Sequence, residues 1–118
     1  TPLELATLAA DQLRALTEHT SRPDAYPYPT DAHHTLGALA HLLEQLPLTL
    51  HHTAAAINAM PHDQLAVLSD PPVPARVQAD IAAELGRAIA AIEQATAHLR
   101  RAQHTTAELV YTGPLTGL

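Results

Sequence analysis

The sequence predicts an all-α protein: an antiparallel helical bundle of three main helices, in which an N-terminal helix joins a long helical hairpin. Apolar residues recur at alternating steps of four and three along two segments, which is the pattern of helices packed lengthwise. Proline clusters separate the segments, and helix-start signals precede them. The 118 residues fit a single domain spanning 1–118.

The first helix is predicted over residues 2–20. Thr1 is a suitable cap, Pro2 suits the first helical position, and Glu4 completes a capping box. The apolar residues of this segment fall on one face, with Leu8 at its edge: Leu5, Ala6, Ala9, Leu13 and Leu16.

A connector follows at residues 21–29, where three prolines favour an extended path. Tyr26 and Tyr28 alternate with Pro27 and Pro29. The two rings either form a loop that contacts a partner or seal the end of the bundle, since tyrosine has both an apolar body and a polar tip.

The second helix is predicted over residues 31–60, with Thr30 or Asp31 as its cap. Pro47 removes a backbone hydrogen bond from a helix interior, but the apolar stripe keeps its phase on both sides of it. We therefore expect one helix with a kink near Pro47, and two separate helices as the alternative. The stripe consists of Ala32, Leu36, Leu39, Leu43, Leu46, Leu50, Thr53, Ile57 and Met60.

The remaining chain is predicted to form a short helical segment at 62–68, a proline-rich linker, and a last helix over 74–110. Leu65 and Leu68 of the short segment are expected to point inward. Pro74 suits the first turn of the last helix. The stripe of that helix consists of Val77, Ile81, Leu85, Ile89, Ile92, Leu99, Ala102, Thr106 and Leu109.

Small side chains dominate the predicted core. Alanine and leucine supply most of the apolar residues, and the chain contains no Phe or Trp. Gly37 and Gly86 each cost a helix up to about 1 kcal/mol relative to Ala, so both are predicted points of close helix approach. Such a core is thin, and we expect a homodimer, or contact with another protein. The predicted core and interface residues are Leu39, Leu43, Leu46, Leu50, Ile81, Leu85, Ile89 and Ile92.

Composition argues against several classes of partner. A formal net charge of −6 with scattered arginines disfavours nucleic acid, which requires a basic face. No apolar run approaches the roughly 20 residues that span a bilayer. The absence of cysteine fits a cytoplasmic protein. The chain also lacks lysine and is rich in Ala, Leu, Pro, His and Arg, which suits a GC-rich genome such as an actinobacterial one.

The nine histidines are the residues to weigh for chemistry. His41 with Glu44 and His104 with Glu108 have the helical spacing of metal ligands, but each pair needs further ligands from elsewhere. We therefore expect no metal site and no cofactor. Catalytic signatures such as a nucleophile elbow or a glycine-rich phosphate loop are also missing, so we expect no enzymatic activity.

Three functional hypotheses follow. The leading one is a non-enzymatic helical module that acts through protein–protein contacts as a homodimer. The alternative is a small-molecule- or metal-binding bundle that serves as a regulatory or sensor domain, because bundle cores can hold apolar ligands between helices. The third is a helical partner that folds fully only in a complex.

Overall fold

The computed structural model describes residues 1–68 and 70–114 of the chain. This part contains three α-helices, a short 3₁₀ turn and no strand, which confirms the all-α prediction. The helices are α1 (Pro2–Thr20), α2 (Pro29–Asn58) and α3 (Pro74–Thr106), and the 3₁₀ turn spans His62–Gln64.

The helix ends follow local hydrogen bonding. The Thr1 side chain accepts from the Glu4 backbone N–H at 3.2 Å, while the Glu4 carboxylate accepts from the N-terminal ammonium at 3.2 Å, as a capping box requires. α2 begins at Pro29, two residues before the predicted start, and the Asp31 carboxylate accepts from the Tyr28 backbone N–H at 3.2 Å. α2 and α3 end at residues 58 and 106, ahead of the predicted 60 and 110.

α2 runs without interruption through Pro47. The alternative of two helices divided at this proline is wrong. The ring costs one backbone hydrogen bond, but Leu43 and Leu50, on either side of it, are both half-buried in the contact with α3. Packing of an amphipathic face supplies most of the stability of a helix in a protein, so the packing on both sides holds the segment helical.

α2 and α3 pack as an antiparallel hairpin. At one end, His33 Nδ1 lies 2.8 Å from the Gln103 carbonyl oxygen, and a carbonyl oxygen only accepts, so Nδ1 carries the proton. At the other end, the Gln78 amide donates to the Ile57 carbonyl at 2.7 Å. The molecule is elongated: it measures 69 × 26 × 21 Å, and its radius of gyration is 20.4 Å, against about 13–14 Å for a compact domain of this length.

The N-terminal helix does not cover the hairpin, and the three-helix bundle is therefore not assembled within one chain. Every residue of α1 is exposed except Leu16, which is half-buried. Leu5 retains 69% of its accessible surface and Leu8 retains 56%. The apolar face of α1 thus matches the sequence prediction, whereas the expected packing partner is missing.

The segment after α2 also differs from its prediction. Only His62–Gln64 is helical, as a single 3₁₀ turn. Leu65 is half-buried, but Leu68 is fully exposed, so the expectation that both leucines point inward is wrong for Leu68.

The contact line between α2 and α3, called the seam here, mixes small residues with leucine and isoleucine. Ala40 is completely buried, and Pro47 and Ala54 are half-buried. Leu36, Leu43, Leu50 and Ile57 occupy the remaining α2 positions. On α3 the seam positions recur at steps of four and three, and all of them are half-buried or buried: Gln78, Ala82, Leu85, Ile89, Ile92, Thr96, Leu99, Gln103 and Thr106.

The seam is rotated relative to the predicted stripe. Ala40 and Pro47 face α3, whereas their neighbours Leu39 and Leu46 lie beside the contact, and Leu46 keeps 37% of its surface. Ala82 likewise replaces Ile81. At Ala40 and Ala82 a small side chain occupies the seam, and the neighbouring Leu39 and Ile81 lie on the side of the hairpin.

Candidate interaction surface

The hairpin has two sides that differ in chemistry. Residues that follow a seam leucine or isoleucine by one position lie on one side of each helix. Residues that precede a seam residue by one position lie on the other side. The polar flank consists of Glu44, His51 and Asn58 of α2 with Gly86, Glu93 and Arg100 of α3. The apolar flank consists of Leu39, Leu42, Leu46 and Thr53 of α2 with Ile81, Ala88 and Ala95 of α3.

Direct contacts establish the polar flank. Arg100 donates to the Glu44 carboxylate from Nε and Nη2, both at 2.7 Å, and each side chain remains 41% exposed. A shallow groove of about 580 Å³ opens on this side next to Pro47. Its lining residues are Glu44, Pro47, Leu48, His51, Ile89, Glu93 and Thr96.

A second, smaller groove of about 280 Å³ continues toward Gly86. A Cβ atom placed on Gly86 would meet nothing within 4 Å, so the prediction of close helix approach is wrong at this glycine. At Gly37 the same atom would lie 2.6 Å from Gln103 Nε2. Gly37 is therefore the point where α3 comes close to α2, and only this glycine has a packing reason.

The apolar flank remains open, and the charged residue nearest to it in α3 is Glu84, which lies one turn from Ile81 and from Ala88 and pairs with Arg87. Leu42 keeps 47% of its surface, and Leu46 and Ile81 each keep 37%. Hydrophobic side chains exposed singly are normal, but a contiguous apolar surface along a helix pair is typical of an interaction site. The sequence-predicted interface residues Leu39, Leu46 and Ile81 lie on this flank, and the remaining predicted positions lie in the seam: Leu43, Leu50, Leu85, Ile89 and Ile92.

The tyrosines of the connector lie at the end of the hairpin where α2 begins and α3 ends. The ring of Tyr28 meets that of Tyr111 edge to face, with 4.9 Å between centroids. Tyr28 is half-buried, Tyr26 keeps 39% of its surface, and the Tyr111 hydroxyl donates to the Pro114 carbonyl. The contact with Tyr111 fits the sealing role for Tyr28; a role for Tyr26 in contacting a partner stays a prediction.

The candidate metal ligands are not gathered into a site. Glu44 accepts from Arg100 instead, and His41 and His104 are exposed. In residues 1–68 and 70–114, no three His, Cys, Asp or Glu side chains are placed to hold one ion. His41, Glu44, His104 and Glu108 therefore remain separate surface residues in this structure.

One residue with a structural role escaped the sequence reasoning. Gln78 is 5% exposed and donates to the Ile57 and Met60 carbonyls at 2.7 and 3.3 Å. These acceptors belong to the last turn of α2 and the residues after it, where carbonyls lack the i+4 N–H of a helix interior; the Ile57 carbonyl also accepts from the Met60 N–H at 3.2 Å. The signal was available: Gln78 lies seven residues before Leu85, in the phase of the seam.

No protein-family model, curated protein or solved structure matches this chain. Within the described residues, no helix has an apolar stretch sufficient to cross a bilayer. The features of the molecule that bear on function are the hairpin and the exposed face of α1.

Proposed function

We propose that this protein is a non-enzymatic protein–protein interaction module that acts as a homodimer through the apolar flank of the hairpin. Its accessible surface supports the proposal. The chain exposes 9019 Å², whereas a compact monomer of 12.6 kDa exposes about 6,200 Å² by size scaling. The excess of about 2,800 Å² exceeds the roughly 1,000–2,500 Å² that each subunit of an obligate homodimer buries.

Burial within the chain is correspondingly low. Among the described residues, only Ala40 and Gln78 are buried, and no large side chain is fully buried. A domain without a buried core of large side chains gains little hydrophobic stabilisation. Burial of the apolar flank against another chain supplies the missing contribution. The acidic net charge disfavours nucleic acid as the partner, and the absence of cysteine fits action in the cytoplasm.

Two leucines that bracket Pro47 provide a matched test. Leu46 lies on the apolar flank and Leu48 borders the groove on the polar flank; both are exposed. Leu46→Asp should reduce the mass from twice 12.6 kDa to 12.6 kDa, because a carboxylate in the interface is desolvated without a partner. Leu48→Asp should leave the dimer intact. Light scattering measures the mass, which elution volume would misreport for so elongated a molecule.

Circular dichroism is the control that both variants remain helical. Monomeric wild-type protein would contradict the proposed dimer. Dissociation by Leu48→Asp with no effect of Leu46→Asp would place the interface on the polar flank and reject the apolar one.

A second candidate function, a small-molecule- or metal-binding regulatory bundle, draws on the groove beside Pro47. Pro47, Leu48 and Ile89 provide apolar contacts there, and Glu93 provides a carboxylate. Its shallowness is the argument against it, since small-molecule sites bury most of their ligand. Melting curves with zinc chloride and with benzylamine separate this candidate, because a ligand that binds only the folded state raises the melting temperature.

A further inference from the structure

We propose that the occupant of the apolar flank is α1 of a second copy of this chain, so that two chains exchange their N-terminal helices. This inference rests on the proposed homodimer and names the segment that forms its interface. Each hairpin would then be completed to three helices by its partner. The arrangement is isologous: the same exchange occurs twice about a two-fold axis.

The apolar stripe of α1 is exposed along its length except at Leu16, which is half-buried. This stripe consists of Leu5, Ala6, Ala9, Leu13 and Leu16. Leu5 keeps 69% of its surface and Leu13 keeps 45%. Charged residues lie on the other face, where Arg14 pairs with Asp11 at 3.4 Å. Helices in proteins gain most of their stability from packing of an amphipathic face, and the 19 residues of α1 form such a face.

The apolar stripe of α1 and the apolar flank match in length and chemistry. The stripe extends about 17 Å from Leu5 to Leu16, and the flank extends about 21 Å from Leu39 to Thr53. Alanines on both partners permit close approach, Ala6 and Ala9 on α1 with Ala88 and Ala95 on α3. Each chain carries a formal charge of −6, but none of the flank residues Leu39, Leu42, Leu46, Thr53, Ile81, Ala88 and Ala95 is charged, and Glu84 beside them is paired with Arg87.

The connector between α1 and α2 favours contact of α1 with a second chain over contact with its own hairpin. Pro23 and Pro27 stiffen the connector between α1 and α2. Tyr28 anchors its far end, through its backbone N–H to Asp31 and its ring to Tyr111. In this arrangement α1 stands away from its own hairpin, and both apolar surfaces remain exposed. A second copy buries both surfaces without moving the connector.

The area is sufficient for such an exchange. Docking α1 on a partner and accepting the partner's α1 covers both apolar surfaces of each chain. The excess exposed area of about 2,800 Å² per chain is larger than the roughly 1,000–2,500 Å² that each subunit of an obligate homodimer buries. Contact of the two apolar flanks alone would leave both α1 stripes in solvent.

Cysteine cross-linking tests the exchange directly, because the chain contains no cysteine of its own. Ala9→Cys, at the middle of the α1 stripe, is introduced into one full-length chain, and Ala88→Cys, on the apolar flank, into another that carries a size tag. After the two are mixed, a bifunctional maleimide should link tagged to untagged chains. The control Thr7→Cys lies on the opposite face of α1 and should link at least several-fold less.

Each result decides the inference. Efficient linkage of Ala9→Cys to Ala88→Cys, with little from Thr7→Cys, supports the exchange. The exchange is overturned if a chain carrying both substitutions closes within itself, which would place α1 on its own hairpin. Equal linkage from both faces of α1 also overturns it. A dimer by light scattering without linkage overturns the exchange while the proposed function stands; a monomer overturns both.

Discussion

The two flanks of the hairpin are built on the same pair of helices, yet one is chemically complete and the other is not. On the polar flank, Glu44 and Arg100 form an ion pair across the helices, and the side chains around them are hydrated. On the apolar flank, Leu42, Leu46 and Ile81 face solvent without a counterpart. The difference indicates that a seam between two helices shields only one line of contact, and that apolar side chains beside it need a third element.

The largest expected effect comes from breaking the seam on which both flanks depend. Leu43→Asp places a carboxylate in the half-buried contact between α2 and α3, where it loses part of its hydration. We expect the unfolding free energy to fall by about 3 kcal/mol and the dimer to dissociate. Urea unfolding and light scattering measure the two effects.

The matched control for this change is Leu48→Asp, which makes the same substitution on an exposed side chain of the same helix. A Leu43→Asp variant with the melting temperature and mass of the wild type would remove Leu43 from the seam. Similar losses at both leucines would mean that helix propensity, rather than burial, accounts for the effect.

A smaller effect should distinguish the two glycines on the polar flank side of the seam. Gly86→Ala should raise the unfolding free energy by about 0.8 kcal/mol, because alanine favours a helix interior and the added methyl enters open space. Gly37→Ala should gain less or lose stability, since its methyl displaces the Gln103 side chain, which also accepts from Arg100 at 2.9 Å.

Urea midpoints of the two variants, compared at equal protein concentration, measure this difference. The concentration must match because the proposed dimerisation would add to apparent stability. If Gly37→Ala stabilises the protein as much as Gly86→Ala does, α3 does not approach closely at Gly37.

The smallest expected effect concerns the ion pair of the polar flank. Glu44→Gln should lower the unfolding free energy by about 0.5 kcal/mol, because both partners are 41% exposed and water screens their attraction. In about 1 M NaCl the difference should vanish. Glu93→Gln is the control on the same flank, since Glu93 forms no ion pair among the described residues. A loss at Glu44 that persists in salt would point to hydrogen bonding instead.

The fold was largely predictable because its signals are local. The capping box at Thr1 and Glu4 and the proline at position 74 marked helix starts, and the unbroken phase across Pro47 indicated a continuous α2. The predicted stripe of α2 contained four of the seven α2 seam residues, including Leu43 and Leu50. These features depend on residues a few positions apart, for which helical periodicity is a reliable guide.

The sequence-based stripe was wrong where size and hydrophobicity favoured different residues. Leu39 and Leu46 are more apolar than Ala40 and Pro47, so the pattern placed the leucines in the contact. Packing distance favours the smaller neighbours instead, and that preference depends on the opposing helix, which periodicity alone does not reveal. The position of α1 escaped prediction for the same reason: an apolar face shows that a helix needs a partner, not which chain provides it.

Gln78 has a consequence for the alignment of the hairpin. A heptad pattern alone allows more than one register. If α3 slid by seven residues along α2, about 10 Å, aliphatic residues would again lie against aliphatic ones. Such a slide would withdraw the Gln78 amide from the Ile57 and Met60 carbonyls and His33 from the Gln103 carbonyl, leaving partly buried polar groups unsatisfied at both ends. The two polar ends therefore fix the register that the aliphatic middle leaves open, and with it the pairing of Leu46 and Ala88 on one continuous surface.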